Sequence, residues 1–191
     1  MVKTKESLAK VWNTYEISVP LEDGIEAKYE DSILSLKNSK GEVSKKLKYP
    51  HVYIEVKEKE VLVGTKHYSK REFKIIHTFR AHIKNLVRGL SEGFEYKLAI
   101  VYAKFPMTVS VSGNKFEVKN LLGEKVPRTY MISSGVKVVV NGKEILVSGI
   151  DKEKTGQVAA SIEQLTRITH LDRRVIQDGI FITEKPHKRY V

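Results

Sequence analysis

The chain has 191 residues, of which 41% are hydrophobic, which argues against a disordered chain and allows one large domain or two small ones. Lysine and arginine total 34 against 23 acidic residues, so the net charge of +11 favours a polyanionic partner such as nucleic acid. The chain contains no cysteine, which excludes disulfides, thiolate metal sites and cysteine nucleophiles.

The first half of the chain begins with predicted strands. Apolar residues alternate with polar ones over residues 15–19 and 52–56, and a period of two predicts strands with one buried face. Shorter apolar runs at residues 33–36 and 61–63 predict further strands. Residues 37–48 surround a predicted hairpin, and we interpret their lysines as protection of a sheet edge rather than as a nucleic-acid contact.

A helix follows these strands. Ser69 with Glu72 three residues later is typical of a capping box at a helix N-terminus. From there apolar residues recur at intervals of three and four, and the helix is expected to end near Gly89. The apolar positions are Phe73, Ile76, Phe79, Ile83, Leu86 and Leu90.

The second half repeats this order of elements. Strands are expected over residues 96–103, 108–111, 116–118, 136–140 and 145–147. A helix capped by Asp151 follows. Its apolar face comprises Val158, Ile162, Leu165 and Ile168. A last strand-like run covers residues 180–183.

Short motifs recur in the same order in both halves. KEVLV at residues 59–63 returns as KEILV at residues 143–147, and KN-x-x-GE at residues 37–42 returns at 119–124. Recurrence in register indicates an internal duplication. We therefore predict an α+β fold of two duplicated domains, each a mostly antiparallel sheet with one helix packed on it.

The predicted boundaries follow the repeat. An N-terminal extension covers residues 1–10, the first repeat covers 11–91 and the second covers 92–185. Residues 186–191 form a basic C-terminal tail.

The first helix carries a basic face. Between Lys66 and Arg88 it has seven lysines and arginines against Glu72 alone. Lys70, Lys74, Lys84 and Arg88 fall within about 80° of one another around the helix axis, some 130° from the apolar face. This face is either a solvated surface or a contact with a polyanion.

The C-terminal region is also basic. Arg167, Arg173 and Arg174 follow the second helix, and the tail that begins at Pro186 contains no acid. Proline discourages regular structure, so the tail is expected to be extended. Its cations suit phosphates and Tyr190 suits stacking on a base, whereas a solvated tail is the alternative.

Enzyme motifs are missing from the sequence. It has no phosphate-binding loop, no dinucleotide fingerprint and no nucleophile elbow. The six histidines are scattered rather than spaced as metal ligands. We therefore expect no enzyme activity, cofactor or metal. No apolar run is long enough to span a bilayer, and no signal-peptide core is present, so no membrane partner is expected.

Several longer stretches resemble a known family. TFRAHIKNLVRGLSEGFEYKLAIVYAKFP (Thr78 to Pro106), NLLGEKVPR (Asn120 to Arg128) and GIDKEKTGQVAASIEQ (Gly149 to Gln164) resemble the sixth universal protein family of the large ribosomal subunit. The likeness is to its archaeal and eukaryotic branch and runs from about Tyr15 to Lys185. Ile176 stands where the family usually has an aromatic residue, and Phe181 where it usually has tyrosine, so one possible hydrogen bond is lost.

The resemblance implies a function. Members are structural, non-enzymatic constituents of the cytoplasmic large subunit. They bind large-subunit ribosomal RNA, mainly through the second domain, near the stalk base and the sarcin–ricin loop. Neighbouring ribosomal proteins at the stalk base are implied partners, and translation GTPases are indirect ones.

Candidate RNA-binding residues follow from the charge pattern and the resemblance together. The primary set is Arg167, Arg173, Arg174, Lys185, Lys188, Arg189 and the aromatic Tyr190. Lys125 and Arg128 come next, and Gly179 is expected to allow a close backbone approach or a positive φ. A possible secondary basic face comprises Lys74, Arg80, Lys84 and Arg88.

Two other interpretations stay open at this point. A free-standing RNA- or DNA-binding protein would be abundant outside ribosomes and would bind unrelated nucleic acids. An enzyme acting on an acidic substrate would need a deep pocket with converging titratable groups.

Overall fold

A computed structural model describes residues 14–22, 24–186 and, for the backbone only, 188–189. The described chain divides into two compact units, the first ending at Glu92 and the second beginning at Gly93. Residues 1–10, predicted as an extension, lie outside the described residues, as does Tyr190.

The first unit is built from antiparallel sheets and a helix. Its elements are β1 Tyr15–Pro20, β2 Glu26–Glu30, β3 Ile33–Asn38, β4 Gly41–Lys46, β5 Val52–Lys57, β6 Glu60–Thr65 and α1 Lys70–Ser91. The strands form one sheet of order β1-β6-β5 and another of order β2-β3-β4. Helix α1 contacts strands of both sheets. Its apolar side buries Ile76, Ile83 and Leu90 completely.

Both ends of α1 have identified hydrogen-bond partners. Ser69 caps the N-terminus, where its hydroxyl accepts the amide of Arg71 at 3.2 Å. The same hydroxyl donates to Glu72, so the predicted start is confirmed although Glu72 binds the serine side chain rather than its amide. At the other end, the ammonium of Lys40 donates to the carbonyl of Ser91. A cation there satisfies a free carbonyl and complements the helix dipole.

The second unit repeats this plan and extends it. Its elements are β7 Phe94–Val101, β8 Thr108–Ser112, β9 Lys115–Lys119, β10 Arg128–Met131, β11 Val136–Asn141, β12 Glu144–Gly149, α2 Lys152–Leu165, β13 Gly179–Lys185 and β14 Lys188–Arg189. One sheet has the order β10-β9-β8 and the other has the order β11-β12-β7-β13-β14. A short 3-10 turn at Leu121–Gly123 follows β9. Helix α2 contacts β7, β12 and β13.

The repeated KEVLV and KEILV motifs occupy equivalent strands. In β6, Val61 and Val63 are fully buried, and in β12 their counterparts Ile145 and Val147 are fully buried too. Strand β6 lies between β1 and β5, as β12 lies between β7 and β11. The predicted duplicated α+β fold is therefore confirmed.

Some predicted details are wrong. Ile168 was placed on the second helix, but α2 ends at Leu165 and Ile168 follows it in the loop. Strands β2 and β10 were not predicted, because β2 reads EAKYE and β10 reads RTYM, with too few apolar residues to show a period of two.

The basic tail is not wholly irregular. Strand β14 pairs antiparallel with β13, with Lys188 opposite Lys185 and Arg189 opposite Glu184. Pro186 lies in the turn between the two strands, where the missing amide hydrogen breaks no ladder bond. The expectation that Pro186 would discourage regular structure is therefore wrong for residues 188–189, which form a paired strand.

Candidate nucleic-acid interface

The second unit contains an open groove of about 770 Å³ beside the C-terminus of α2. Its walls come from the end of α2, the following loop of residues 166–178, and the strands β7 and β13. Its lining includes the apolar side chains of Val101, Ile168, Ile176, Ile180 and Phe181. The arginines Arg167, Arg173 and Arg174 also line it. The groove thus brings together the three arginines that the sequence predicts.

Helix α2 is held against β13 by side chains at its C-terminal end. The hydroxyl of Thr166, which is 2% exposed, accepts the amide of Ile180 at 2.9 Å. The carboxylate of Glu163 accepts the amide of Ile182 at 3.1 Å. These bonds satisfy strand amides that face the helix rather than another strand, and they fix the distance between two walls of the groove.

A buried carboxylate closes the far end of the loop. Asp178 is 6% exposed and accepts the amide of Ala103 at 2.9 Å. Gly179 follows with φ of +157°, and a Cβ there would lie 3.3 Å from the ring of Phe181. The positive φ and the close approach match what the sequence predicts for this glycine. Gly179 is buried and does not line the groove, whereas its neighbours Asp178 and Ile180 do.

The acids around the groove are engaged within the protein. Asp172 accepts three bonds from the Arg174 guanidinium, of which the shortest is 2.8 Å from Nη2 to Oδ2, and one from the Arg174 amide at 2.9 Å. The Arg174 side-chain bond is the main reason that the pKa of Asp172 is lowered. Arg174 is 90% exposed on the rim, so this pair is fully solvated.

Arg167 and Arg173 differ from Arg174 in the hydrogen bonding of their guanidiniums. Both are exposed, and neither guanidinium has an acceptor among the described residues. Since Glu163, Asp172 and Asp178 already accept hydrogen bonds, two arginine charges at the groove remain available to an external anion.

Arg128 is held by the protein itself. Its guanidinium donates to both carboxylate oxygens of Glu124, at 2.8 Å from Nε and 2.5 Å from Nη2. Nη1 donates to the carbonyl of Leu165 at 2.8 Å and to that of Arg167 at 3.3 Å. The side-chain bond to Glu124 is the main cause of the raised pKa of Arg128, and it also lowers the pKa of Glu124. Arg128 thus ties the loop before β10 to the end of α2.

The other predicted residues of the second unit lie outside the groove lining. Lys185 is exposed on β13 and Lys125 is exposed in the loop before β10. The backbones of Lys188 and Arg189 form β14 next to Lys185. Tyr190 is outside the described residues.

The secondary basic face lies on α1 in the first unit. Lys74 and Lys84 are exposed, and Arg88 pairs with Glu92 at 2.8 Å. Arg80 is half-buried, and its Nε has no hydrogen-bond partner in the described part of the chain. Two hairpin lysines instead turn towards α1: Lys40 binds the Ser91 carbonyl, and Lys45 lies 2.9 Å from His82.

Sequence reasoning missed several groove residues. Thr166, Glu163 and Asp178 build its walls, yet none stands out by type or spacing. The available signal was weak: polar residues continue beyond the last apolar turn of α2, where a surface loop would begin.

Within residues 14–22 and 24–186, no group of three or more His, Cys, Asp or Glu side chains could hold a metal ion. In the same ranges, neither helix is long and apolar enough to cross a membrane. The fold and the groove together define a basic protein of duplicated α+β architecture.

Comparison with known proteins identifies the family. A sequence model of the family described as "Ribosomal protein L6" matches residues 105–179. Large ribosomal subunit protein uL6 of Methanosarcina mazei is 45% identical over 168 residues, which cover 88% of this chain and 96% of that protein. The protein of the same name from Methanococcus vannielii is 42% identical over 173 residues, which cover 91% of this chain and 94% of that protein.

This chain belongs to the uL6 family of large-subunit ribosomal proteins. The family is structural and not enzymatic, which confirms the expectation that the chain is not an enzyme.

Proposed function

We propose that this chain binds large-subunit ribosomal RNA through the groove face of its second unit. The observation that carries the proposal is the pair Arg167 and Arg173, two exposed guanidiniums without an acceptor among the described residues, in a groove whose walls include apolar side chains. Charged rims suit phosphates, whereas apolar walls suit the faces of unstacked bases or sugars. Family membership supports ribosomal RNA as the polyanion.

The remaining predicted residues extend this proposed surface. Lys185 and the paired strand β14 continue along the edge of the same sheet as the groove wall β13. Arg174 keeps its bond to Asp172 and adds exposed charge at the rim. In this proposal Arg128 holds the end of α2 in place rather than contacting phosphate itself.

The proposed location is the cytoplasmic large subunit, near the stalk base and the sarcin–ricin loop. There the protein would support subunit assembly and, indirectly, the docking of translation GTPases. Family resemblance supports this location, and the open groove is compatible with a folded RNA surface.

The first experiment is sedimentation of the tagged protein from its native cell on a sucrose gradient after a high-salt wash. We expect the protein to travel with the large subunit. Protein that remains at the top of the gradient would favour a free-standing nucleic-acid-binding protein instead.

The groove itself is tested with the double variant Arg167→Gln/Arg173→Gln. A matched control, Lys115→Gln/Lys137→Gln, removes the same charge from exposed positions of the same unit that do not line the groove. Two lost phosphate contacts should reduce the slope of log affinity against log salt by about 1.4 to 1.8 for a large-subunit ribosomal RNA fragment. Equal slopes for variant and control would place the binding surface elsewhere.

A further inference from the structure

A cluster of aromatic rings lies beside the N-terminus of α1 in the first unit. Its members are Tyr15, Tyr68, Phe73 and His77, and we call them the aromatic cluster. The ring centroids of Tyr15 lie 5.5 Å from Tyr68 and 5.3 Å from Phe73, and Phe73 lies 4.3 Å from His77. The Tyr15 hydroxyl is 3.2 Å from Nε2 of His77. These contacts hold the rings in a defined arrangement.

The aromatic cluster is not part of the hydrophobic core. Tyr68 is 49% exposed, and the other three rings are half-buried. By contrast, Ile76 and Ile83 of the same helix are fully buried. Phe73 was predicted on the apolar face, but it points to the edge of that face, about 60° round the helix from Ile76. Ring surface thus remains in contact with solvent.

A row of cations runs along α1 from this cluster. Lys70, Lys74, Lys84 and Arg88, which we call the cationic row, extend over about 27 Å of helix, at 1.5 Å per residue. Lys70, Lys74 and Lys84 are exposed and have no acidic partner among the residues described, and only Arg88 is paired, with Glu92. Glu72, the acid within the same stretch of helix, accepts from the Ser69 hydroxyl.

We infer that the aromatic cluster and the cationic row form a second RNA-binding surface, which takes a single-stranded RNA segment. One base stacks on the exposed ring of Tyr68, and the phosphates that follow lie along the cationic row. Stacking tolerates any base, and the cations supply the salt-dependent part of the affinity. This surface is separate from the groove proposed for the second unit.

Two features favour RNA over an acidic protein surface. Protein-binding hot spots are apolar centres enclosed by a polar rim. Here the rings lie at one end, and cations recur beyond them along the helix, with ten residues, or about 15 Å, between Lys74 and Lys84. A single strand, with a charge on each phosphate and a flat face on each base, matches that linear order.

The test uses the full chain carrying Arg167→Gln/Arg173→Gln, so that the groove contributes little. The probe is a fluorescently labelled single-stranded 12-nucleotide oligouridylate. Tyr68→Ala should weaken its binding about fivefold or more, as expected for one stacked base, whereas Tyr68→Phe should keep the affinity. Lys74→Gln/Lys84→Gln should lower the salt slope by about 1.4.

The control for charge is Lys46→Gln/Lys48→Gln, which removes two exposed lysines that belong to the same unit but not to α1. The inference is overturned if this control and Lys74→Gln/Lys84→Gln lower the salt slope equally. It is also overturned if the Arg167→Gln/Arg173→Gln protein does not bind the probe. Equal losses in Tyr68→Ala and Tyr68→Phe overturn the stacking contact. Failure of the groove proposal can be told apart from failure of this inference, because the groove test changes only Arg167 and Arg173 and leaves the cationic row intact.

Discussion

Replacing Arg128 by methionine separates its two possible roles. Methionine keeps much of the apolar stem but removes the bonds to Glu124, Leu165 and Arg167. If Arg128 is a clamp, the variant should lose stability. If it is a phosphate contact, the variant should lose RNA affinity and keep its stability.

The expected loss of stability can be worked from the contacts. The side chain of Arg128 is 30% exposed and that of Glu124 is 39% exposed, so their ion pair contributes no more than about 1 kcal/mol. The bonds to the two carbonyls together contribute about 1 kcal/mol more, because each replaces hydrogen bonds to water and so gains little net free energy. A total of about 2 kcal/mol should lower the melting temperature of the second unit by roughly 10 °C.

The assay is urea or thermal unfolding followed by circular dichroism, alongside RNA binding. Arg128→Lys is the matched variant, because it keeps the charge but lacks the planar fork that reaches several acceptors. We expect Arg128→Lys to lie between wild type and Arg128→Met in stability. Unchanged unfolding of Arg128→Met with a reduced salt slope for RNA would refute the clamp and restore direct phosphate contact.

Further predictions concern single contacts. Gly156→Ala, although alanine favours helix, should destabilise the second unit by about 1–3 kcal/mol, because its Cβ would lie 2.8 Å from the hydroxyl of Tyr96, a buried residue; Tyr96→Phe should recover part of the loss. Glu124→Gln should cost up to about 1 kcal/mol at pH 7, and this cost should shrink as the pH falls below about 4.5 and through the folded pKa, because the lowered pKa of Glu124 makes its contribution complete above about 4.5 and absent below the folded value. Ser69→Ala should cost about 1 kcal/mol in the first unit through loss of the α1 cap. All three are measured by denaturant unfolding, the second across pH.

Each of these three predictions would be contradicted by a specific result. A Gly156→Ala protein as stable as wild type would mean that Tyr96 moves freely aside. A stability difference for Glu124→Gln that does not shrink as the pH is lowered from 7 through the acid range would exclude the ion pair as its cause. Unchanged unfolding of Ser69→Ala would show that the helix start is held by tertiary contacts alone.

Much of the fold could be predicted from the sequence because local patterns and the repeat agreed. The KEVLV and KEILV motifs alternate strongly, and their valines and isoleucine are the residues that the two cores bury. The boundaries of α1 followed from Ser69 and from the 3–4 spacing of apolar residues. Strand β14 could not be predicted, since its pairing comes from β13 rather than from any apolar pattern of its own.

The candidate site could be predicted only as a set of charges. Arg167, Arg173 and Arg174 stand out as a cluster after α2, and the groove does bring them together. The sequence does not reveal which arginine is already engaged: Arg128 meets carbonyls 37 and 39 residues away, and Arg174 meets Asp172 two residues away. Hydrogen-bond partners such as the carbonyls of Leu165 and Arg167 depend on the tertiary fold, and the local residue pattern does not reveal them.

The position of β13 in the sheet affects when each unit can fold during synthesis of the chain. In the first unit, every described strand precedes α1, so its elements are all present once Glu92 has been translated. In the second unit, β7 takes β13 as a neighbour, and the fully buried Ile180 belongs to that later strand. Because domains fold in order as the chain emerges, the first unit can fold early. The second cannot complete its sheet until residues 179–185 have emerged.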